Sequence, residues 1–153
     1  HVFLQDLQVT ALLSGDVAHP SIKALQAAVA EADGVIITSP VYKSSFSGVL
    51  KTILDVLPQD ALAHKTVLPV ASGGSLAHLL ALDYALKPVL SALKAQEILS
   101  GVLAVDSQIQ INTQPITIEP SGRERLDQAA QQFAHALRCR RSYADTNTLA
   151  YSA

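Results

Sequence analysis

The chain has 153 residues, enough for one domain around one core, with a single cysteine and a formal charge of -2. These values exclude an internal disulfide framework and any long-range field suited to nucleic acid or an anionic membrane; the Arg138, Arg140, Arg141 cluster is short and suits the negative end of a helix. No apolar run reaches the roughly 18 residues that a bilayer span needs, no C-x-x-C pair points to a metal, and the start HVFLQDL lacks the charged region and cleavage site of a signal peptide, so a cytoplasmic protein is expected. An apolar fraction of 49% beside only 16% charged residues anticipates subunit contacts as well as a core.

In chain order, Val2 to Leu4 reads as a short strand ending at Asp6, and Val35 to Thr38, β-branched and preceded by Gly34, as a second. Between them Ile22, Leu25 and Val29 recur at helical spacing after Pro20, a residue tolerated in a helix's first turn, which predicts a β-α-β unit. Leu50, Ile53, Leu54 and Leu57 form the face of a further helix stopped by Pro58, and Thr66 to Ala71 gives the next strand. Ser72-Gly73-Gly74-Ser75 then opens a long helix to about Leu93, and Glu97 to Val105 is a strand bent or broken near Gly101. Ser121-Gly122-Arg123-Glu124 has the capping-box pattern, opening a helix with Leu126, Ala130, Phe133 and Leu137 on one side. The expected domain covers 1–141, and the polar tail 142–153 is expected to be disordered.

Alternating helices and continuously apolar strands specify a parallel sheet covered on both faces, whose ligands bind outside the carboxyl ends of the strands. Two segments sit at such ends. The stretch Thr38 to Gly48 is long for a strand-to-helix connection, typically about 2–6 residues, and carries an aromatic, a lysine and several hydroxyls. Its serines could equally serve only to cap the helix that follows. The Ser72 to Ser75 turn has paired glycines, which let backbone N–H groups approach a planar or anionic ligand.

TSPVYKSSFSGVLKTILDVLP followed by LPVASGGSLAHLLALDYALKPVLSALKAQEIL resembles the NAD(P)H-dependent FMN reductase family, particularly its alkanesulfonate-assimilation and aminopolycarboxylate-degradation branches, over about residues 1 to 110. The resemblance implies a flavodoxin-like, doubly wound α/β/α fold in a single domain. It also implies FMN as substrate or loosely held cofactor, NADPH or NADH as reductant, and delivery of FMNH2 to a separate monooxygenase. Carried onto this chain, Pro40, Val41, Tyr42 and Lys43 border the isoalloxazine with Ser45 close by, and Ser72, Gly73, Gly74 and Ser75 approach its polar edge. Hydride transfer to flavin N5 leaves negative charge near N1 and the C2 carbonyl, where backbone N–H donors are useful, so no side-chain acid or base is required. His78 accordingly reads as a structural histidine at a helix start.

The long helix carries two apolar stripes: Leu79, Leu82, Leu86, Val89 and Leu93, expected to pack on the sheet, and Leu76, Leu80 and Tyr84, most simply a contact in a homo-oligomer. Pro88 has no N–H for the Tyr84 carbonyl, so the helix is expected to kink or widen into a π-bulge there. The resemblance places a tyrosine matching Tyr84 at a π-helical insertion in a subunit interface near the flavin. It also implies a first strand, a phosphate loop and a first helix ahead of HVFLQDL, so an incomplete record or a fragment is expected, with poor FMN affinity if the sequence given is everything. A quinone or azo reductase holding FMN as prosthetic group is an alternative that the sequence barely separates. A flavodoxin-type electron carrier is disfavoured by the weak charge, and a phospho-acceptor receiver domain by Thr38-Ser39-Pro40 at the strand end where an aspartate is required.

Overall fold

The structure, a computed structural model, describes residues 1–111 and 115–150. The segment Val2 to Leu4 is not a strand. Phe3 donates its backbone N–H to the Asp6 carboxylate at 2.8 Å and opens a 3-10 turn at Leu4–Asp6; three apolar residues offer too few ladder bonds to outweigh that local closure. The expected β-α-β unit is therefore an α-α-β unit. Helix α1 (Val9–Ser14) ends on Gly15 in the left-handed region at φ 67°, a glycine stop that Ser14-Gly15 advertises. Helix α2 (Pro20–Glu31) follows, with His19 accepting at its cap from the Ser21 N–H. Leu7, Ala11 and Leu12 pack with Ile22, Leu25 and Val56 in one apolar cluster.

Strand β1 (Gly34–Tyr42) pairs parallel with β3 (Thr66–Gly73) in a register running from Gly34 opposite Thr66 to Pro40 opposite Ser72. Beyond β3 lie β4 (Glu97–Ile98) and β5 (Val102–Val105), which both pair with it in parallel and are the expected strand broken at the expected place. Gly101 lies at the break, where a Cβ would stand 2.6 Å from a Leu82 methyl, so the position has room for glycine alone. Strand β2 (Ser45–Phe46) returns antiparallel on the tip of β1, completing a five-stranded sheet; β6 (Ile109–Gln110) and β7 (Thr117–Ile118) form a separate pair.

Helix α3 (Gly48–Asp55) packs on the sheet through Leu54. After β3 the chain does not form one continuous α-helix. A 3-10 turn (Leu76–Leu79) leads into a π-helix (Leu82–Leu86) and then α4 (Lys87–Ala92), so the π-helix occurs in the turn before Pro88, where a missing N–H was expected to widen the backbone. Leu82, Leu86, Leu90 and Leu93 join the central core, whereas Leu79, expected on the sheet-packing face, is exposed.

Helix α5 (Pro120–Ala150) starts at proline rather than at a Ser121 cap; the Ser121 hydroxyl instead accepts from the Gln108 side-chain amide. Its packed face uses Ala129, not the expected Ala130, because Leu126, Ala129 and Phe133 recur at the three- and four-residue steps that meet Leu68 and Val102. The helical backbone runs through 142–150, the larger part of the segment set apart as a tail, and 151–153 lie outside the described residues. Among the described residues no helix is long and apolar enough to cross a membrane.

Helix α5 is tied across the amino ends of the strands by Arg140 to Glu97 at 3.5 Å and by Arg141 to Asp33. The hydrogen bond from Arg141, with its charge and that of Lys65, holds the Asp33 carboxyl below its ordinary value. The folded chain therefore binds fewer protons there than the unfolded chain. The contribution is fully present above the unfolded value and is lost as pH falls through the lowered one. Asp33→Asn should accordingly lower the urea midpoint slightly near neutrality, with the gap to wild type closing in acid and shrinking in high salt, because the pair is exposed. A gap independent of pH would remove the ion pair as its cause.

Candidate active site

The carboxyl ends of β1 and β3 lie side by side. Pro40 is opposite Ser72, and the Val41 Cβ lies 3.5 Å from where a Cβ on Gly73 would stand. Val105 of β5 flanks Gly73 on its other side. The two segments singled out in the sequence thus meet at one sheet edge, as parallel strand ends must.

The first of them is not an open loop. Tyr42 and Ser45 pair across a hairpin whose central residues, Lys43 and Ser44, both have positive φ, at 50° and 62°. That is what a type I′ turn demands, and it is adopted here without the usual glycine or asparagine. The cost of left-handed backbone is roughly 1–2 kcal/mol per residue, a strain that persists only where surrounding contacts fix it. Ser39, buried at the strand end, supplies one such contact: its hydroxyl donates to the Pro40 carbonyl and accepts from the Ser47 N–H, both at 2.9 Å. Ser47 in turn caps α3, its hydroxyl accepting from the Leu50 N–H at 3.2 Å. Of the serines, then, Ser39 and Ser47 are spent on local structure. Sequence reasoning passed over Ser39, and only its burial marks it.

The hairpin presents Tyr42, 64% exposed, with exposed Pro40 and Lys43 and half-buried Val41 and Ser45. In the second segment Gly73 is buried, Ser72 is half-buried, and Gly74 and Ser75 are exposed. The Ser75 hydroxyl accepts from the Ala77 N–H at 3.3 Å, fixing the entry to the 3-10 turn. A Cβ on Gly74 would have no heavy atom within 4 Å, so that backbone borders open space. The result is a shelf with an aromatic edge, a lysine and accessible main chain, and with no carboxylate among its residues. A groove between α3 and α4, lined by Leu54, Pro88, Val89 and Leu93, contains none of them.

Next to the shelf, Leu76, Leu80 and Tyr84 are 57%, 58% and 80% exposed. Tyr84 stands on the π-helix.

Residues 1–110 match the family described as NADPH-dependent FMN reductase. A Pseudomonas putida protein named FMN reductase (NADPH) is 52% identical, over 88% of this chain and 69% of its own. An Escherichia coli protein of the same name is 50% identical, over 90% of this chain and 72% of its own. Among solved structures, that of an NADH:FMN oxidoreductase in its apo form superposes with a TM-score of 0.78 at 39% identity, covering 89% of this chain and 70% of that one. The sheet order, the two adjoining strand ends and these likenesses agree, and the chain belongs to the NADPH-dependent FMN reductase family, oxidoreductases with the flavodoxin-like fold.

Proposed function

We propose that the chain reduces FMN with NADPH or NADH at the shelf formed by the β1–β2 hairpin and the Ser72–Ser75 turn, and that reduced FMN passes to a separate monooxygenase. The observation that carries this reading is the juxtaposition of Val41 with Gly73 across the paired strand ends. The residues fit a flavin ring. Tyr42 and Val41 offer apolar edge, Gly74 leaves main chain uncovered, and Gly73 is packed too closely for a side chain.

FMN supplies the hydride acceptor at its N5. Pro40, Val41, Tyr42, Lys43 and Ser45 would hold one side of the ring, and the main chain of Ser72, Gly73, Gly74 and Ser75 would offer N–H donors to its pyrimidine edge, where hydride transfer would place negative charge. The exposure of Tyr42 and Lys43 suits a flavin that enters and leaves with each turnover. The names of the relatives at 52% and 50% identity favour NADPH as reductant.

Flavin-free protein mixed with NADPH is expected to oxidise it only when FMN is added, followed by nicotinamide absorbance. Equal rates with and without FMN would sink the assignment. Retention of one tightly bound FMN with rapid electron transfer to a quinone would replace it by a prosthetic-group reductase.

The Leu76, Leu80, Tyr84 stripe adjoins the turn, and a second copy of this chain is the proposed cover. Tyr84→Ala should shift sedimentation toward a smaller species and weaken flavin retention together. An unchanged species with unchanged retention would refute the interface.

A further inference from the structure

His78 lies in the 3-10 turn that follows Ser75, and its backbone N–H donates to the Ser75 carbonyl at 3.0 Å. This closure lays the imidazole against Gly73: a Cβ there would be 3.0 Å from His78 Nδ1 and 3.5 Å from His78 Cβ, with Val41 Cβ at 3.5 Å. The ring therefore sits against the same glycine that packs on the hairpin strand. Its Nδ1 is fully enclosed and has no hydrogen-bond partner, although the residue as a whole is only half-buried.

An imidazole nitrogen is a donor or an acceptor in every protonation state, so an enclosed and unpaired one is a group awaiting a partner. Gly73 is still paired with Val105 in the sheet, whereas Gly74 lies past the last ladder pair and borders open space, so the turn can adjust from Gly74 onward without a side chain opposing it.

We propose that His78 is a positioning residue for flavin reduction: when the flavin ring is seated on the turn, the main chain from Gly74 onward adjusts, one of its polar groups pairs with His78 Nδ1, and the remaining N–H groups of the turn are held toward the pyrimidine edge of the ring. His78 touches the turn and not the reacting atoms. The inference rests on the assignment of the Ser72–Ser75 turn to flavin.

The decisive measurement is the nuclear magnetic resonance shift of the isotope-labelled His78 ring nitrogens in the whole chain, titrated with FMN above the histidine titration range. Nδ1 is expected to move to a hydrogen-bonded position while Nε2 changes less. An Nδ1 that does not move in FMN-saturated protein overturns the proposal, whatever the variants do. His78→Asn keeps a polar atom near the place of Nδ1, and His78→Leu keeps bulk alone. The asparagine variant should hold FMN within about threefold of wild type and the leucine variant should lose about tenfold or more, the scale of one hydrogen bond, with matching apoprotein melting temperatures. Equal FMN affinity in the two variants would also overturn it. Wild-type protein that fails to bind FMN, or FMN binding indifferent to Gly74→Ala, marks instead the failure of the flavin-site assignment.

Discussion

Leu86→Ala is expected to destabilise the fold by about 2–5 kcal/mol, the range for deleting a fully buried leucine. Leu86 is 0% exposed and shares the central core with Leu82 and Leu90, both about as deeply buried. It closes the π-helix, which leads directly into α4. A cavity there cannot be filled by a simple slide of the helix, because Leu82 is already pressed against Gly101 at the strand break. The cost should therefore fall in the upper half of that range. A fall in the urea midpoint at constant slope would report it. The neighbouring Leu80→Ala, at a residue 58% exposed, should cost far less in dilute monomer. If both changes cost the same, the buried face has been assigned to the wrong side of this segment.

The alternation of strands and helices was legible because Val35 to Thr38 and Thr66 to Ala71 are continuous apolar runs, as buried parallel strands require. Local rules that compete with such runs were less visible. Val2 to Leu4 had the composition of a strand, yet a carboxylate three residues on closes the backbone first. The β1–β2 hairpin was read as a loop because Lys43-Ser44 lacks the glycine or asparagine that normally announces a type I′ turn. Pro88, by contrast, announced a kink or a widened turn, and the π-helix is the second of these, since a missing N–H acts within its own turn. That Leu79 faces outward was not legible, because it lies on a 3-10 turn separate from the π and α segments that carry the buried leucines.

The site divides in the same way. That the two strand ends meet follows from topology alone, so it could be read before any coordinates. The contacts that shape the shelf join side chains of one element to the next and could not. Ser39 reaches Ser47, and His78 and Val41 meet Gly73 from opposite sides of the chain order. No periodicity or motif encodes such closures. They arise where packed elements leave one small residue between them.

Gly74→Ala is expected to weaken FMN binding by about tenfold to a hundredfold, about 1.4–2.8 kcal/mol, while leaving the apoprotein's melting temperature unchanged. The two halves of this expectation come from one observation. A Cβ at Gly74 meets nothing within 4 Å, and its φ is not in the left-handed region, so the folded chain accepts alanine without strain. The same open space is where the proposed flavin approaches the main chain. A methyl group there holds a planar ring away by most of an atomic diameter, which lengthens the N–H contacts on which its pyrimidine edge depends. Gly73→Ala supplies the contrast: its Cβ meets His78 at 3.0 Å, so protein must move whether or not flavin is present, and stability and binding should fall together. Quenching of flavin fluorescence gives the affinities, and calorimetry of the flavin-free proteins gives the melting temperatures. Unchanged FMN affinity in Gly74→Ala would mean that the ring does not lie over this turn.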